Sequence, residues 1–600
     1  MKIKVSDYIA NFFVEKNINK CFTVTGGGAM HMNDSFGHHS EIECIYTHHE
    51  QGASMAAEGY TRTSNQPALV CVTSGPGTTN VMTGVLGAWL DSIPMFVLSG
   101  QMNFDTTIKS TPLPLRQLGF QEYNIIDSVK SMTKYAEMVT DPKYISYYLE
   151  KAYYEATTGR KGPVWLDIPL NIQSSIINTD ELIHYTPRSN YQNNNIKPEI
   201  IDFVFNKINQ SKKPVILAGY GIRMSDSYNE FLNAVTKLKI PVVTEWNSND
   251  LIWKDHKYYA GHPGTIGDRG GNFVLQNSDL LIAIGCQMSI RQISYKWYNF
   301  AKDAYKIAVN IDENELIKPT IKIDYPINSS TNSFLDGINQ SKNISKHNSD
   351  TKWYKWCSDI NNKYPVVLDK HFNLDQPLSV YAFIKSLSDT IQEKDTVVLA
   401  NGAACVVGLQ AIEIKEGQRV FTNAGASSMG YGIAASVGAA YAQNKDGQVI
   451  CIEGDGSIQM NLQELQTIIH NNLNIKIFWI NNDGYHSIKQ TQNSMFKAQE
   501  KGLCGADKTS GISFPSAEKI ANAYGFKFFK VDSISNLNQL QEVYNTKGPV
   551  ICEVVTDPEE KFEPKLQSKL LKDGTFLTPS LEDMYPFLSK EEMQNNKPNI

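Results

Sequence analysis

The chain has 600 residues, 41% of them apolar and 20% charged, and a formal net charge of −6. This is the balance of a globular protein long enough for about three or four domains. With no long Lys/Arg block it argues against a nucleic-acid or membrane-surface partner, and no run reaches the ~18 apolar residues of a membrane span. The nine cysteines are scattered, none in a Cys-x-x-Cys pair. Several lie inside apolar runs, the pattern of reduced core thiols in a cytoplasmic protein.

In chain order, MKIKVSDYIANFFVEKNI carries Asp and Glu within an apolar period and predicts an amphipathic helix rather than a signal peptide. A glycine loop, VTGGGA (24–29), precedes a strand at 42–47. The segment THHEQGASMAAEGYTR (47–62) then opens a helix at Glu50, followed by the small residues Ala53, Ala56, Ala57 and Gly59. Taken alone, Glu50 is the acid that a helix N-terminus favours. Strands follow at 67–74, 93–100 and 163–169, then at 214–221, 279–285 and 305–312, and finally at 396–402, 448–454, 475–482 and 549–555. Strands apolar on both faces and alternating with helices predict α/β architecture, doubly wound parallel sheets. Polar stretches at 187–200 and 328–352 read as linkers. They divide the chain into 1–185, 190–340 and 355–555, with a tail at 556–600. The first and third units both run glycine turn, Asn, helix, strand, so one topology is expected for both.

Residues 454–485, GDGSIQMNLQELQTIIHNNLNIKIFWINNDGY, form a β-α-β unit. Leu462, Leu465, Ile468 and Ile469 set the period of a helix beginning near Asn461. A right-handed crossover brings Asp455 and Asn482, 482 − 455 = 27 residues apart, to the edge where such sheets bind ligands. A carboxylate with a carboxamide is an oxygen donor set suited to Mg²⁺ bridging to a di- or triphosphate. Each dipeptide alone is an ordinary turn; the two together, each ending a strand, point to a site.

GDG followed at this spacing by NN resembles the signature of thiamine diphosphate enzymes, and similarity to their acetolactate synthase-like branch runs over about 1–590. The resemblance implies Mg²⁺ held by Asp455, Asn482 and the Gly484 carbonyl, and cofactor contacts from Gly454, Gly456 and Ser457. TSGPGTTN (73–80) matches the family loop that supplies Ser74, Gly75 and Asn80. Ser427 and Met429 fall in the segment that bends the cofactor. Glu50 matches the catalytic glutamate, a carboxyl sharing a proton with the cofactor's aminopyrimidine ring. Gly28 lies in the loop near the reacting carbon, and Gln121 matches a carboligase glutamine. In the family, the glutamate and the metal ligands of one site come from different subunits, which implies a homodimer or homotetramer.

The middle unit resembles the segments that hold a non-redox FAD, through Gly219, Gly221, Arg291 and Asp312. The expected activity is decarboxylation of a 2-oxo acid of pyruvate type, with transfer of the two-carbon unit to pyruvate or to a ketone or sugar acceptor. A plain 2-oxo-acid decarboxylase or a C–C hydrolase is the alternative. Four positions depart from the family pattern. Thr491 stands where a Trp selects the acceptor, Ser427 where Gly is usual, Gln287 where Arg is usual, and NSSTN where Gly-Asp-Ala is usual.

Overall fold

The computed structural model describes residues 1–187, 196–443, 448–570 and 576–600. Three parallel sheets carry the architecture. The N-terminal sheet comprises β1 (Lys20–Thr23), β2 (Glu43–Tyr46), β3 (Ala68–Val72), β4 (Met95–Gln101), β5 (Tyr135–Met138) and β6 (Val164–Pro169), in the order β2-β1-β3-β4-β6-β5. The middle sheet comprises β7 (Pro214–Ala218), β8 (Val242–Thr244), β9 (Leu280–Ile284), β10 (Tyr305–Asn310) and β11 (Tyr325–Asn328), ordered β8-β7-β9-β10-β11. The C-terminal sheet comprises β12 (Thr396–Leu399), β13 (Arg419–Phe421), β14 (Val449–Gly454), β15 (Ile475–Asn481), β16 (Lys527–Val531) and β17 (Val550–Val555), ordered β13-β12-β14-β15-β17-β16. The two six-stranded sheets therefore share one topology, as expected. Every residue of ALVCV and MFVLSGQ in β3 and β4 is buried, because helices cover both faces.

Six helices bear on the candidate sites: α1 (Glu50–Ser64), α2 (Pro76–Leu90), α3 (Thr331–Gln340), α4 (Tyr431–Ala442), α5 (Glu464–His470) and α6 (His486–Met495). Helices α1 and α4 join the N- and C-terminal domains. Their contact is made by small residues: a β-carbon at Gly59 would overlap the Ala435 carbonyl, and one at Gly438 would overlap that of Ala56. Beside them lies a buried ion cluster in which Arg62 bridges Glu58 (2.7 Å) and Asp91. Burial pushes the Glu58 carboxyl up to about 7, against the pull of Arg62. The middle domain is tied in through Asp250, which receives Arg419, while the same guanidinium donates to the Arg62 carbonyl.

Three expectations need correction. The polar stretch 328–352 is not a plain linker: it contains α3, capped by the Ser330 hydroxyl, which accepts the Ser333 N–H, and buries Phe334, Leu335 and Ile338 on one face. A run rich in Asn and Ser hid three well-spaced apolar residues. Of the other stretch, 188–195 lie outside the described residues, and Pro198 already begins a helix. The helix expected from Asn461 begins at Glu464 instead. Asn461 leaves helical geometry (φ −139°, ψ 33°), and its side chain donates to the Gly430 carbonyl at 3.0 Å. The N-terminal helix forms as predicted, over Val5–Glu15.

The tail docks on the middle domain. Arg269 donates to the carbonyls of Met584 and Pro586, Gln276 donates to Glu582, and Leu581 is buried among middle-domain residues. Among the described residues, no helix is long and apolar enough to cross a membrane.

Candidate active site

At the C-terminal edge of the N-terminal sheet, β2 ends and the chain turns through Thr47, His48 and His49 into α1. The His49 ring accepts the Gln51 N–H at 3.0 Å and caps the helix. Glu50, the first helical residue, is 9% exposed, and its Oε2 accepts a hydrogen bond from Asn80 Nδ2 at 2.9 Å. Asn80 is placed by α2, which starts behind Gly75 (φ +59°). That left-handed turn suits glycine. The adjacent Ser74 hydroxyl is 1% exposed and, among the described residues, has no hydrogen-bond partner. The Gly28 N–H donates to Thr73 Oγ1 (3.0 Å) and its carbonyl accepts from Gln173 (2.8 Å), while a β-carbon on Gly28 would come within 2.7 Å of Ser74 Oγ. Gln121 is exposed in a left-handed backbone (φ +60°), and its carbonyl lies 2.7 Å from where a β-carbon on Gly75 would be. Gly28, Glu50, Ser74, Gly75, Asn80 and Gln121 thus gather at one edge.

At the matching edge of the C-terminal sheet, β14 delivers Asp455 and β15 delivers Asn482, neighbours through the parallel register Gly454↔Ile480. Asp455 is 4% exposed; its Oδ1 accepts the Gly456 N–H (2.7 Å) and its Oδ2 the Gly484 N–H (3.1 Å). Burial pushes its carboxyl up to about 6, opposed by the backbone N–H groups of Gly484, Gly456 and Asn482. Among the described residues it has no salt-bridge partner. Gly456 is required because a β-carbon there would strike the Tyr485 ring. A small cavity of about 150 Å³ adjoins Asp455, lined also by Trp479, Asn481 and Phe514. Ser457 Oγ accepts the Gly430 N–H at 2.9 Å, which joins this turn to the loop of Ser427 and half-buried Met429. Ser427 has φ +49°, so the position usually filled by glycine retains a glycine-like backbone, at a cost of about 1 kcal/mol for serine.

Residues not singled out from the sequence join the two edges. Asn461 bonds Gly430 and accepts from Gln51 Nε2 (3.4 Å); Asp91 Oδ1 accepts the Gly425 N–H (3.0 Å); Glu464 reaches the peptide groups ahead of Glu50. No local spacing announces such contacts, since the partners lie hundreds of residues apart.

The middle domain carries a cavity of about 770 Å³, lined by Arg160 and Lys161 from the N-terminal domain and by Gly221, Glu245, Gly285 and Ser329–Ser333 from the sheet edge and the start of α3. Of the four residues expected there, Gly221 lines it. Gly219 packs against the backbone of Gly285 and Cys286. Arg291 lies over the Trp246 ring at 5.5 Å, and Asp312 pairs with Arg160 at 3.1 Å. Glu245 accepts the N–H groups of Gln287 and Met288.

Three models of one family match the chain in order. They are the thiamine pyrophosphate enzyme N-terminal TPP binding domain over residues 3–125, the central domain over 201–338, and the C-terminal TPP binding domain over 400–554. The chain is 28% identical to the acetolactate synthase isozyme 1 large subunit of Escherichia coli, covering 93% of this chain and 95% of that one. It is 29% identical to the acetolactate synthase large subunit of Lactococcus lactis, covering 95% of each. Identity to the chloroplastic acetolactate synthase of Arabidopsis thaliana is also 29%, over 96% of this chain and 84% of the other. With three parallel sheets in the order of the three matched domains, this chain belongs to the thiamine pyrophosphate enzymes, in their acetolactate synthase-like branch.

Proposed function

We propose that the protein is a thiamine diphosphate- and Mg²⁺-dependent carboligase that decarboxylates a pyruvate-like 2-oxo acid and joins the two-carbon unit to a carbonyl acceptor. The observation that carries this reading is the pairing of two buried carboxylates on equivalent sheet edges, Asp455 beside Asn482 and Glu50 on Asn80. Asp455 fits a metal ligand: it is buried, has no cationic partner among the described residues, and the N–H bonds of Gly456 and Gly484 leave lone pairs on its oxygens. Asp455, Asn482 and the Gly484 carbonyl would hold Mg²⁺, and the open turn Gly454-Asp455-Gly456-Ser457 would admit the diphosphate. The Ser74 hydroxyl, buried beside Gly28 without a partner among the described residues, is a further polar group able to meet the cofactor. When bound, thiamine diphosphate supplies the ring that accepts the electron pair released with CO₂. The chain's own task is to fix Glu50 within reach of a ring nitrogen. Asn80 holds one carboxyl oxygen, so the proton exchanged with the cofactor belongs on the other.

The relatives' name, acetolactate synthase, supports pyruvate as donor. Thr491 lies exposed on α6, its hydroxyl donating to the Ser487 carbonyl at 2.9 Å. It leaves space where a Trp would stand, which favours a bulkier or more polar acceptor, a ketone or sugar. A non-redox FAD belongs to the same reading. The middle-domain cavity has the volume of a nucleotide site, and Lys161 and the N-terminal end of α3 offer positive charge and N–H groups to its phosphates, while Arg160 on its wall is held by Asp312 and Glu315. Assembly of two or four copies is supported by Leu113, Leu118 and Phe120, which are 47% to 82% exposed beside the Glu50 edge.

The test is ¹³C NMR of products from labelled pyruvate with thiamine diphosphate, Mg²⁺ and FAD, with and without ketone acceptors. Acetolactate without added acceptor, or an adduct with one, supports the carboligase. Acetaldehyde alone would make the protein a decarboxylase, and unreacted pyruvate would remove pyruvate as donor.

A further inference from the structure

The C-terminal domain reaches into the N-terminal domain at one carboxylate. Glu464, the first residue of α5, is fully buried nine positions after Asp455. Its Oε1 accepts the His49 N–H at 3.1 Å and the His48 N–H at 3.2 Å. Its Oε2 takes the Thr467 hydroxyl at 2.6 Å, which fixes the rotamer. The bonded N–H groups belong to the two residues immediately ahead of Glu50. Gly52, one residue inside the first turn of α1, is small for the same reason: a β-carbon there would collide with the Glu464 carboxyl.

We infer that Glu464 is a positioning residue for Glu50, a clasp by which the metal-binding domain sets the entry angle of the helix that presents the proton-transfer group. This rests on the reading of Glu50 given above. A buried carboxylate is costly unless hydrogen-bonded, and bonds to a charged acceptor are stronger than those between neutral groups. Burial pushes the Glu464 carboxyl up, and the bonds from Thr467 and His48 pull it back. An apolar side chain would fill the volume without that cost, so the carboxylate's distinctive contribution is direction: it aims two N–H groups at one point. The reverse clasp also exists. Asp91, at the end of α2, accepts the Gly425 N–H ahead of the Ser427–Met429 loop. Each domain thus orients the other's loop.

The test compares Glu464→Ala, Glu464→Gln and Thr467→Val in the full-length protein loaded with thiamine diphosphate and Mg²⁺. Glu464→Ala should lower kcat about ten- to hundredfold, the scale of a misplacement near 1 Å, with the KM for pyruvate within about twofold. Glu464→Gln keeps an acceptor for both N–H groups and should restore kcat to within about threefold of the parent. Thr467→Val, which leaves the clasp but frees its rotamer, should lower kcat by about two- to fivefold and serves if Glu464→Ala does not fold. Unchanged kcat in Glu464→Ala, or in Thr467→Val where Glu464→Ala does not fold, overturns the proposal. So does a loss in Glu464→Gln as deep as in Glu464→Ala, because charge rather than direction would then matter. Glu50→Gln is run in parallel: if it turns over normally, the reading of Glu50 fails; if it is inactive while the Glu464 and Thr467 variants are normal, the clasp alone fails.

Discussion

In the N-terminal domain, the crossover after β2 delivers an acid, Glu50, to the sheet edge. In the C-terminal domain, the equivalent crossover after β13 delivers Ser427 and Met429, and the acid arrives one connection later, as Asp455 after β14. Strand order is the same in both sheets, and α1 lies directly on its counterpart α4. The two acids differ in what surrounds them. Glu50 takes a side-chain amide from Asn80, whereas Asp455 is ringed by backbone N–H groups. A side-chain partner leaves an acid able to trade protons; a backbone ring fixes a carboxylate in place. The sheets supply equivalent edges, and the loops decide which chemistry each edge performs.

The largest effect should come from breaking the α1–α4 contact. Gly438→Ala places a methyl into the Ala56 carbonyl and should destabilise the protein by about 3 kcal/mol or more, read as a fall in urea midpoint. The same change at solvent-facing Gly525, where nothing lies within 4 Å but φ is +84°, should cost only about 1–2 kcal/mol.

A second contrast lies within equivalent strand pairs. Asp167 on β6 stands opposite Ser99 on β4, as Glu553 on β17 stands opposite Trp479 on β15. Full burial pushes the Asp167 carboxyl from 3.8 up to about 7, opposed by bonds from Ser99 and Gln101. The raised value means that the folded state holds the proton more tightly. The stabilisation is complete below about pH 4 and is lost as pH rises through about 7. Asp167→Asn should remove that dependence, and the stability difference between variant and parent should shift by up to about 4 kcal/mol in the variant's favour between pH 4 and 8, measured by denaturant titration at each pH.

Smaller changes address the acids' partners. Asn80→Ala should lower kcat by about ten- to hundredfold, the loss of one hydrogen bond to a charged group, read in steady-state turnover. Ser427→Gly should stabilise by about 0.5–1 kcal/mol by relieving the left-handed backbone, seen as a small rise in Tm. A fall would show that the Ser427 hydroxyl contributes more than its backbone costs.

Long buried strands were legible because runs such as VICIEG and IKIFWINN are apolar on both faces. Short edge strands such as β5 and β16 were not, because YAEM and KFFKV are only partly buried. Asp455 and Asn482 were legible because a single β-α-β unit places them, so local spacing is enough. Glu464, Asp91 and Asn461 were not, because their partners are brought together only by the docking of whole domains. Ser427 was legible as a departure, while its cause, a positive φ, became visible only in the fold. The α3 helix was missed because its capping serines and asparagines read as a linker.

In the proposed reading, Mg²⁺ and the diphosphate are held at one edge and the proton is transferred at the other. Calorimetric titration of thiamine diphosphate with Mg²⁺ into Glu50→Gln and Asp455→Ala, with turnover measured on the same samples, separates the two. The expected result is that Glu50→Gln binds the cofactor within a few-fold of the parent while its turnover falls by about 10²–10⁴, and that Asp455→Ala binds none at concentrations that saturate the parent. Turnover surviving in Glu50→Gln, or unimpaired binding by Asp455→Ala, would contradict that division.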